Sequence, residues 1–398
     1  GDVVTILGQI FYSIEYQAGT AAIKKAISNL VEWQKPDGVL YSPIPAGNWN
    51  QELPAQMLAS VSQYGFGRYL DFTNDTATIK YVYPFVKKYM ALWKINDTGL
   101  VMHRAGGWDW HDWGDKIDVP LLDNAWFAMA LRACIRMASI AGDHLMAMHW
   151  GGQLQKLQVA FQQQFWQGDA FRSIGFDKGT DDRGNGLAVV AGLTLPKQWP
   201  NLKQLFDTVF NAGPYLEKYI LESYFLMGDG EAGINRMKRR YADMINHKAS
   251  TLWEGWEVGS GTYGGGSYNH GWSGGPLTLM QEYLAGITPG KPGYQSIHIF
   301  PQPSGIKHFK ATAPLPGGRV AVTWSQQQQK MQLKVSEANR PILVGIPIPS
   351  SIKMFKQVRV NNKIVKPSDL PRVTRYHNIT YITFNWHGRQ PLVIEGFY

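Results

Sequence analysis

The 398-residue chain contains one cysteine, Cys134, so no disulfide can form within it. Cys134 lies in an apolar run of helical spacing, where a small buried side chain is the default reading. Charge is scarce as well. Only 17% of residues are charged while 44% are hydrophobic and 13% aromatic, 15 of them Trp. Disorder needs the opposite balance, so the chain is expected to be globular, with length enough for more than one domain. No run reaches the roughly 18 apolar residues that a membrane span needs. Several chemical signatures are missing too. His103 and His111 stand outside any HExxH pattern, Gly259–Gly266 lacks the GK[ST] ending of a phosphate loop, and Gly259-Ser260-Gly261 is not a nucleophile elbow. No metal and no cofactor are therefore expected.

The net charge is +9. Its densest cluster, Lys238-Arg239-Arg240, reads as the solvated face of a helix, and no zinc-finger or RNA-binding motif accompanies it, so no nucleic-acid partner is expected. The chain opens at Gly1-Asp2 without Met, in mid-pattern, which reads as a fragment or a processed product.

What the chain has in quantity is helical periodicity. Ile23, Ala26, Ile27, Leu30 and Val31 keep the spacing of an amphipathic helix, and Pro36-Asp37-Gly38 ends it. Similar runs recur to residue 287, about eleven in all. Short turns, such as Thr73-Asn74-Asp75 and Gly142-Asp143, alternate with long Trp-, Gly- and Asp-rich connections near 35–52, 95–122, 168–183 and 248–271. That alternation predicts a ring of helical hairpins with the long loops gathered at one face. An odd number of helices suggests that the first is absent. Beyond Pro289-Gly290 and Pro292-Gly293 come short β-rich runs, with a tight hairpin turn expected at Asn361-Asn362. The expected architecture is an all-α toroid over 1–290 followed by an antiparallel β-sandwich over 291–398.

Three stretches mix carboxylates with aromatic faces: Gly47–Glu52, Gly106–Asp115, and Thr251–Trp256 with Tyr268–Trp272. Sugars are bound by that combination, because C–H faces stack on rings while hydroxyls bond to carboxylates and amides. Cleavage of a glycosidic bond then needs two carboxyl groups. For Trp108, Trp110 and Trp113, packing of the barrel top accounts for the residues as well as sugar stacking does. Any one of Asp109, Asp112 and Asp115 can be a turn or cap residue. Glu254, flanked by Trp253 and Trp256, is the strongest single candidate. His270 taken alone is more often structural.

Thr251-Leu252-Trp253-Glu254, Asn269-His270 and Tyr283-Leu284-Ala285-Gly286-Ile287, taken in order, resemble the closing signature of the inverting α-L-rhamnosidases of glycoside hydrolase family 78. Gly1-Asp2, the Trp49 loop, residues 108–115 and Asp182–Leu187 are similar to the barrel of that family, and the similarity extends into the β-rich segment. The resemblance implies an (α/α)6 barrel with a C-terminal β-sandwich. It implies that Glu254 is the general base, that His270 contacts the sugar, and that Asp2 contributes to substrate binding. The family's general acid is a Glu a few residues ahead of the Gly-Asp pair, so this chain is expected to lack it. The expected site comprises Glu254 as catalytic residue, with Asp2, Trp49, Glu52, Trp108, Asp109, Asp112, Trp113, Asp115, Trp256 and His270 binding a carbohydrate. Two functions follow: inverting hydrolysis of terminal α-L-rhamnosides, or catalytically silent carbohydrate binding on the same scaffold.

Overall fold

The computed structural model describes residues 2–44, 51–258, 266–365 and 372–398. Its helical part begins with α1 (Asp2–Ser13) and α2 (Tyr16–Glu32), then α3 (Pro54–Val61), α4 (Phe66–Thr73) and α5 (Thr76–Met90). It continues through α6 (Val119–Ala141), α7 (His144–Phe165), α8 (Asp182–Val190), α9 (Trp199–Thr208) and α10 (Pro214–Leu226), and closes with α11 (Gly230–Arg240), α12 (Ala242–Asn246) and α13 (Gly275–Leu279). The helices sort into two layers by what they bury. Every residue of α3 and α8 is buried, and α6 and α10 are buried nearly all round. By contrast α2 buries only Gly19, Ile23, Ile27 and Val31, the stripe of a helix with one wet face. Contacts run α1–α13, α13–α10, α10–α8, α8–α6, α6–α3 and α3–α1, an inner ring of six, with α2, α5, α7, α9 and α11 outside it. This is the hairpin toroid that the alternation of loop lengths predicts.

Local chemistry sets the ends of these helices. Asp118, Asp143 and Asp75 cap α6, α7 and α5 by accepting backbone N–H bonds, and Gly142 closes α6 in the left-handed region. Two helical runs are broken in two. The run from Pro54 divides at Gly65, where any Cβ would lie 1.8 Å from the Ser60 carbonyl oxygen, and the run from Gly230 divides at Tyr241. Helix α8 begins at Asp182, ahead of its apolar run. Its first turn is buried but charged. Asp182 pairs with Arg236 at 2.9 Å, and Arg183 with Asp181 at 2.7 Å, so apolar periodicity did not mark its start.

The β-rich part forms two packed sheets. One holds β1 (Ile287–Lys291), β2 (Ser296–Ile299), β6 (Ile342–Pro347), β9 (Val373–Tyr376) and β10 (Ile379–Trp386) in the order β1-β2-β6-β10-β9. The other holds β3 (His308–Leu315), β4 (Gly318–Gln327), β5 (Lys330–Val335), β7 (Gln357–Val360), β8 (Lys363–Val365) and β11 (Leu392–Phe397), ordered β3-β4-β5-β11-β7-β8. Val320, Val322 and Trp324 from one sheet meet Ile342, Val344 and Ile382 from the other in a single core. The sandwich is antiparallel, as expected, except where β2 pairs with β6 in parallel, because β3–β5 cross to the other sheet between them. Strand β1 carries Pro289-Gly290 and spans the 290/291 division read from the sequence. Asn361 and Asn362 both have positive φ, at 49° and 67°, and form the tight turn between β7 and β8. The two parts share a continuous core, and the Tyr12 hydroxyl donates to the Ile287 carbonyl at 2.6 Å across their junction.

Candidate functional site

A cavity of about 510 Å³ opens at one end of the toroid. Its apolar floor comes from α1, α2 and α3, through Leu7, Ile27 and Met57, and its aromatic wall from Trp108, Trp110, Trp113 and Trp272. Among the described residues, Asp2 and Glu254 are the carboxylates that line it, and His270 is the imidazole. Three of the four long connections thus meet at one mouth.

The wall is built from several fixed points. Trp110 is buried and stacks on Trp272 with ring centroids 5.5 Å apart and planes 9° off parallel. The Trp108 backbone N–H donates to the Glu52 carbonyl at 3.0 Å. Gly106 passes so close to that backbone that a Cβ would lie 2.3 Å from the Glu52 oxygen. Arg183 donates to the carbonyls of Trp113 and Asp115 at 3.2 and 2.6 Å. Asp112 is fully buried behind the wall and accepts from the Gly213 N–H at 2.7 Å and the Trp113 N–H at 2.8 Å. Burial pushes its carboxyl up to about 7, against the opposing pull of Arg183 and these two donors.

The Glu254 segment is held by short ladder-like contacts. The Glu254 N–H donates to Ser267 O at 2.9 Å, and the His270 N–H to Leu252 O at 2.8 Å. The Trp272 indole N–H donates to Glu254 O at 2.9 Å, and the Ser273 hydroxyl to Trp253 O. These bonds place the His270 ring between two carboxylates. Nδ1 is 3.7 Å from Glu254 Oε2, and Nε2 is 3.8 Å from Asp2 Oδ2. Both are beyond hydrogen-bond length, while Ser267 Oγ lies 3.2 Å from Nδ1 and the ring packs 4.2 Å from Trp272.

Of the residues singled out in the sequence, Asp2, Trp108, Trp113, Glu254 and His270 line the cavity together. Trp49 lies outside the described residues. Glu52, Asp109, Asp112, Asp115 and Trp256 are not part of the lining. Glu52 is held by both guanidinium nitrogens of Arg104, Asp109 faces His103 at 3.0 Å, and Trp256 donates to Ala212 O at 2.7 Å. Asp115 is exposed and meets Arg183 through its carbonyl. Trp110, weighed for sugar stacking but not placed in the expected site, lines the cavity, and so does Trp272, which was not weighed. Both fall within the aromatic-rich stretches, but nothing in local spacing separates the rings that face inward from those that face away. Among the described residues, His103, His111 and Asp123 are the one group whose ligand atoms gather within 4.8 Å. Asp123 already accepts from both imidazoles there, from His103 Nδ1 at 2.7 Å and His111 Nε2 at 3.0 Å.

Comparison with known proteins agrees with this architecture. Residues 10–211, about half of the chain, match the bacterial alpha-L-rhamnosidase 6 hairpin glycosidase domain, and residues 286–337 match the bacterial alpha-L-rhamnosidase C-terminal domain. An alpha-L-rhamnosidase of Formosa agariphila is 24% identical over 321 residues, covering 74% of this chain and 34% of that protein. One from an Alteromonas species is 25% identical over 237 residues, covering 55% of this chain and 25% of that protein. The chain thus spans about a third or less of the length of these curated relatives. Two solved structures share the fold. The alpha-L-rhamnosidase from Dictyoglumus thermophilum superposes with TM-score 0.78 at 20% identity, over 94% of this chain and 43% of that one. The Streptomyces avermitilis alpha-L-rhamnosidase complexed with L-rhamnose does so with TM-score 0.77 at 20% identity, over 99% of this chain and 38% of that one. With its hairpin toroid, β-sandwich and half-length domain match, the chain belongs to the bacterial alpha-L-rhamnosidase family.

Proposed function

We propose that this chain forms the sugar-binding and base-bearing part of a glycoside hydrolase acting on terminal α-L-rhamnosides with inversion. The observation that carries the reading is the mouth of the cavity. Glu254 and Asp2 flank His270 there, against a tryptophan wall. In this reading Glu254 takes a proton from a water molecule, and the water oxygen bonds to the anomeric carbon from the face opposite the leaving group. The glycosidic C–O bond breaks, and the departing oxygen receives a proton from a second carboxyl group. That group is assigned outside the described residues that line the cavity. Asp2 and His270 hold sugar hydroxyls, and the tryptophans stack against the C–H faces. The sequence resemblance and the family membership support the substrate class.

The test is an aryl α-L-rhamnoside assay, with the product anomer followed by NMR, on the full-length protein and its Glu254→Gln variant. The variant keeps the shape and removes the base, so kcat is expected to fall about 10²–10⁴-fold while sugar binding persists. Undiminished turnover in the variant, or retention of anomeric configuration, overturns the assignment. Binding without turnover in the full-length protein favours the silent sugar-binding reading.

A further inference from the structure

Beside the tryptophan wall, two imidazoles and two carboxylates form one group, with His103 and Asp109 on its exposed side. Asp123 enters it from α6 and is buried, and His111 is buried beside it. His103 Nδ1 lies 2.7 Å from Asp123 Oδ2, and His103 Nε2 lies 3.0 Å from Asp109 Oδ2. His111 Nε2 lies 3.0 Å from Asp123 Oδ1, while its Nδ1 is 3.9 Å from Asp109 Oδ1. The two rings stand 5.9 Å apart.

The two histidines differ in what this geometry demands. A neutral imidazole has one N–H and one lone pair, and a lone pair facing a carboxylate oxygen at hydrogen-bond distance is repelled. His111 has one nitrogen at that distance and needs one proton there. His103 has a carboxylate oxygen at hydrogen-bond distance from each nitrogen and needs both. We propose that His103 is a positioning residue, an imidazolium that clips Asp109 to Asp123 and thereby fixes Trp108 and Trp110 in the sugar-facing wall.

Asp109 sits between those two tryptophans in sequence, and both of them line the cavity while Asp109 itself does not. The clip therefore holds the reverse side of the segment whose front meets the sugar. The charged groups that face His103 are Asp123 from α6 and Asp109 from the loop, with His111 as the titratable neighbour. Both carboxylates raise its affinity for a proton, the hydrogen bond to Asp123 most of all, against a smaller opposing effect of burial. A raised pKa means that the clip is closed below that pKa and opens above it. Opening leaves one carboxylate facing a lone pair. This inference rests on the sugar-binding reading of the cavity only for its effect on affinity; the protonation state of His103 stands apart from it.

The experiment has two arms on this chain. In the first, long-range ¹H–¹⁵N correlation spectra, assigned by loss of the signal in His103→Gln, report the two ring nitrogens of His103. Both are expected at imidazolium shifts at pH 7, above the ordinary titration near 6.5. In the second, L-rhamnose binding is titrated across the pH range in which those signals change. Affinity is expected to fall about tenfold as the one proton leaves, and the step is expected to vanish in His103→Gln, which binds weakly at every pH. An unprotonated His103 nitrogen at pH 7, or an unchanged affinity profile in the variant, overturns the proposal. So does loss of the arrangement on chelation, which would put a metal ion where the protons are assigned. If the chain binds no L-rhamnose, the substrate reading fails while the spectra still decide the state of His103.

Discussion

Replacing Asp112 by Asn is the sharpest test of how the tryptophan wall is anchored. The Asp112 carboxyl is buried and pushed from 3.8 to about 7, although two backbone N–H groups point at it. A carboxylate with a raised folded-state pKa stabilises the fold only while it is protonated. Its unfavourable contribution begins near the unfolded pKa of about 3.9, grows as pH rises, and levels off above about 7. At 1.36 kcal/mol per unit the full effect is about 4 kcal/mol, of which about 3 kcal/mol accrues between pH 5 and pH 8. Asn cannot ionise, so it removes this slope. It also turns an amide N–H₂ toward one of the two backbone donors, a pH-independent cost of about 1–3 kcal/mol. The variant is therefore expected to be less stable than the parent at pH 4 and to overtake it toward pH 8. Urea unfolding followed by tryptophan fluorescence at several pH values measures the difference. A gap between parent and variant that does not change with pH would show that the two N–H donors and Arg183 outweigh burial and keep the carboxylate ionised, refuting the argument.

Other substitutions probe separate parts of the same molecule. Arg236→Leu strands Asp182 and Glu217, which Arg236 holds at 2.7–2.9 Å in the buried junction of α8, α10 and α11; a loss of about 3–5 kcal/mol in urea unfolding is expected. Trp110→Ala removes a buried ring from the stack on Trp272 and is expected to cost about 3–5 kcal/mol and to weaken L-rhamnose binding by calorimetry. Glu254→Gln, by contrast, is expected to leave the unfolding midpoint nearly unchanged while depressing turnover, because among the described residues its side chain accepts none of the hydrogen bonds that hold its loop.

The sequence by itself determined the alternation of helices and loops, the change to strands near residue 287, and the stretches in which carboxylates meet aromatics. These are local properties. A one-sided helix such as α2 repeats its apolar stripe every three to four residues, Pro and Gly interrupt it, and Asn361-Asn362 favours the positive φ of a tight turn whatever lies around it. Buried charge was less legible. The start of α8 is invisible to apolar periodicity because Asp182 and Arg183 are admitted to the interior only by partners at 181 and 236, one of them far away in the chain. The parallel pairing of β2 with β6 has the same origin, since no local pattern tells a strand which neighbour it will meet. Within the loop 108–115, only the tertiary structure decided direction. Trp108, Trp110 and Trp113 face the cavity, whereas Asp109 turns back to His103 and Asp112 to the Gly213 N–H. Residue types named the chemistry available there. The irregular backbone of that loop, fixed by Glu52, by Arg183 and, through His111, by Asp123, assigned which of them meets the cavity.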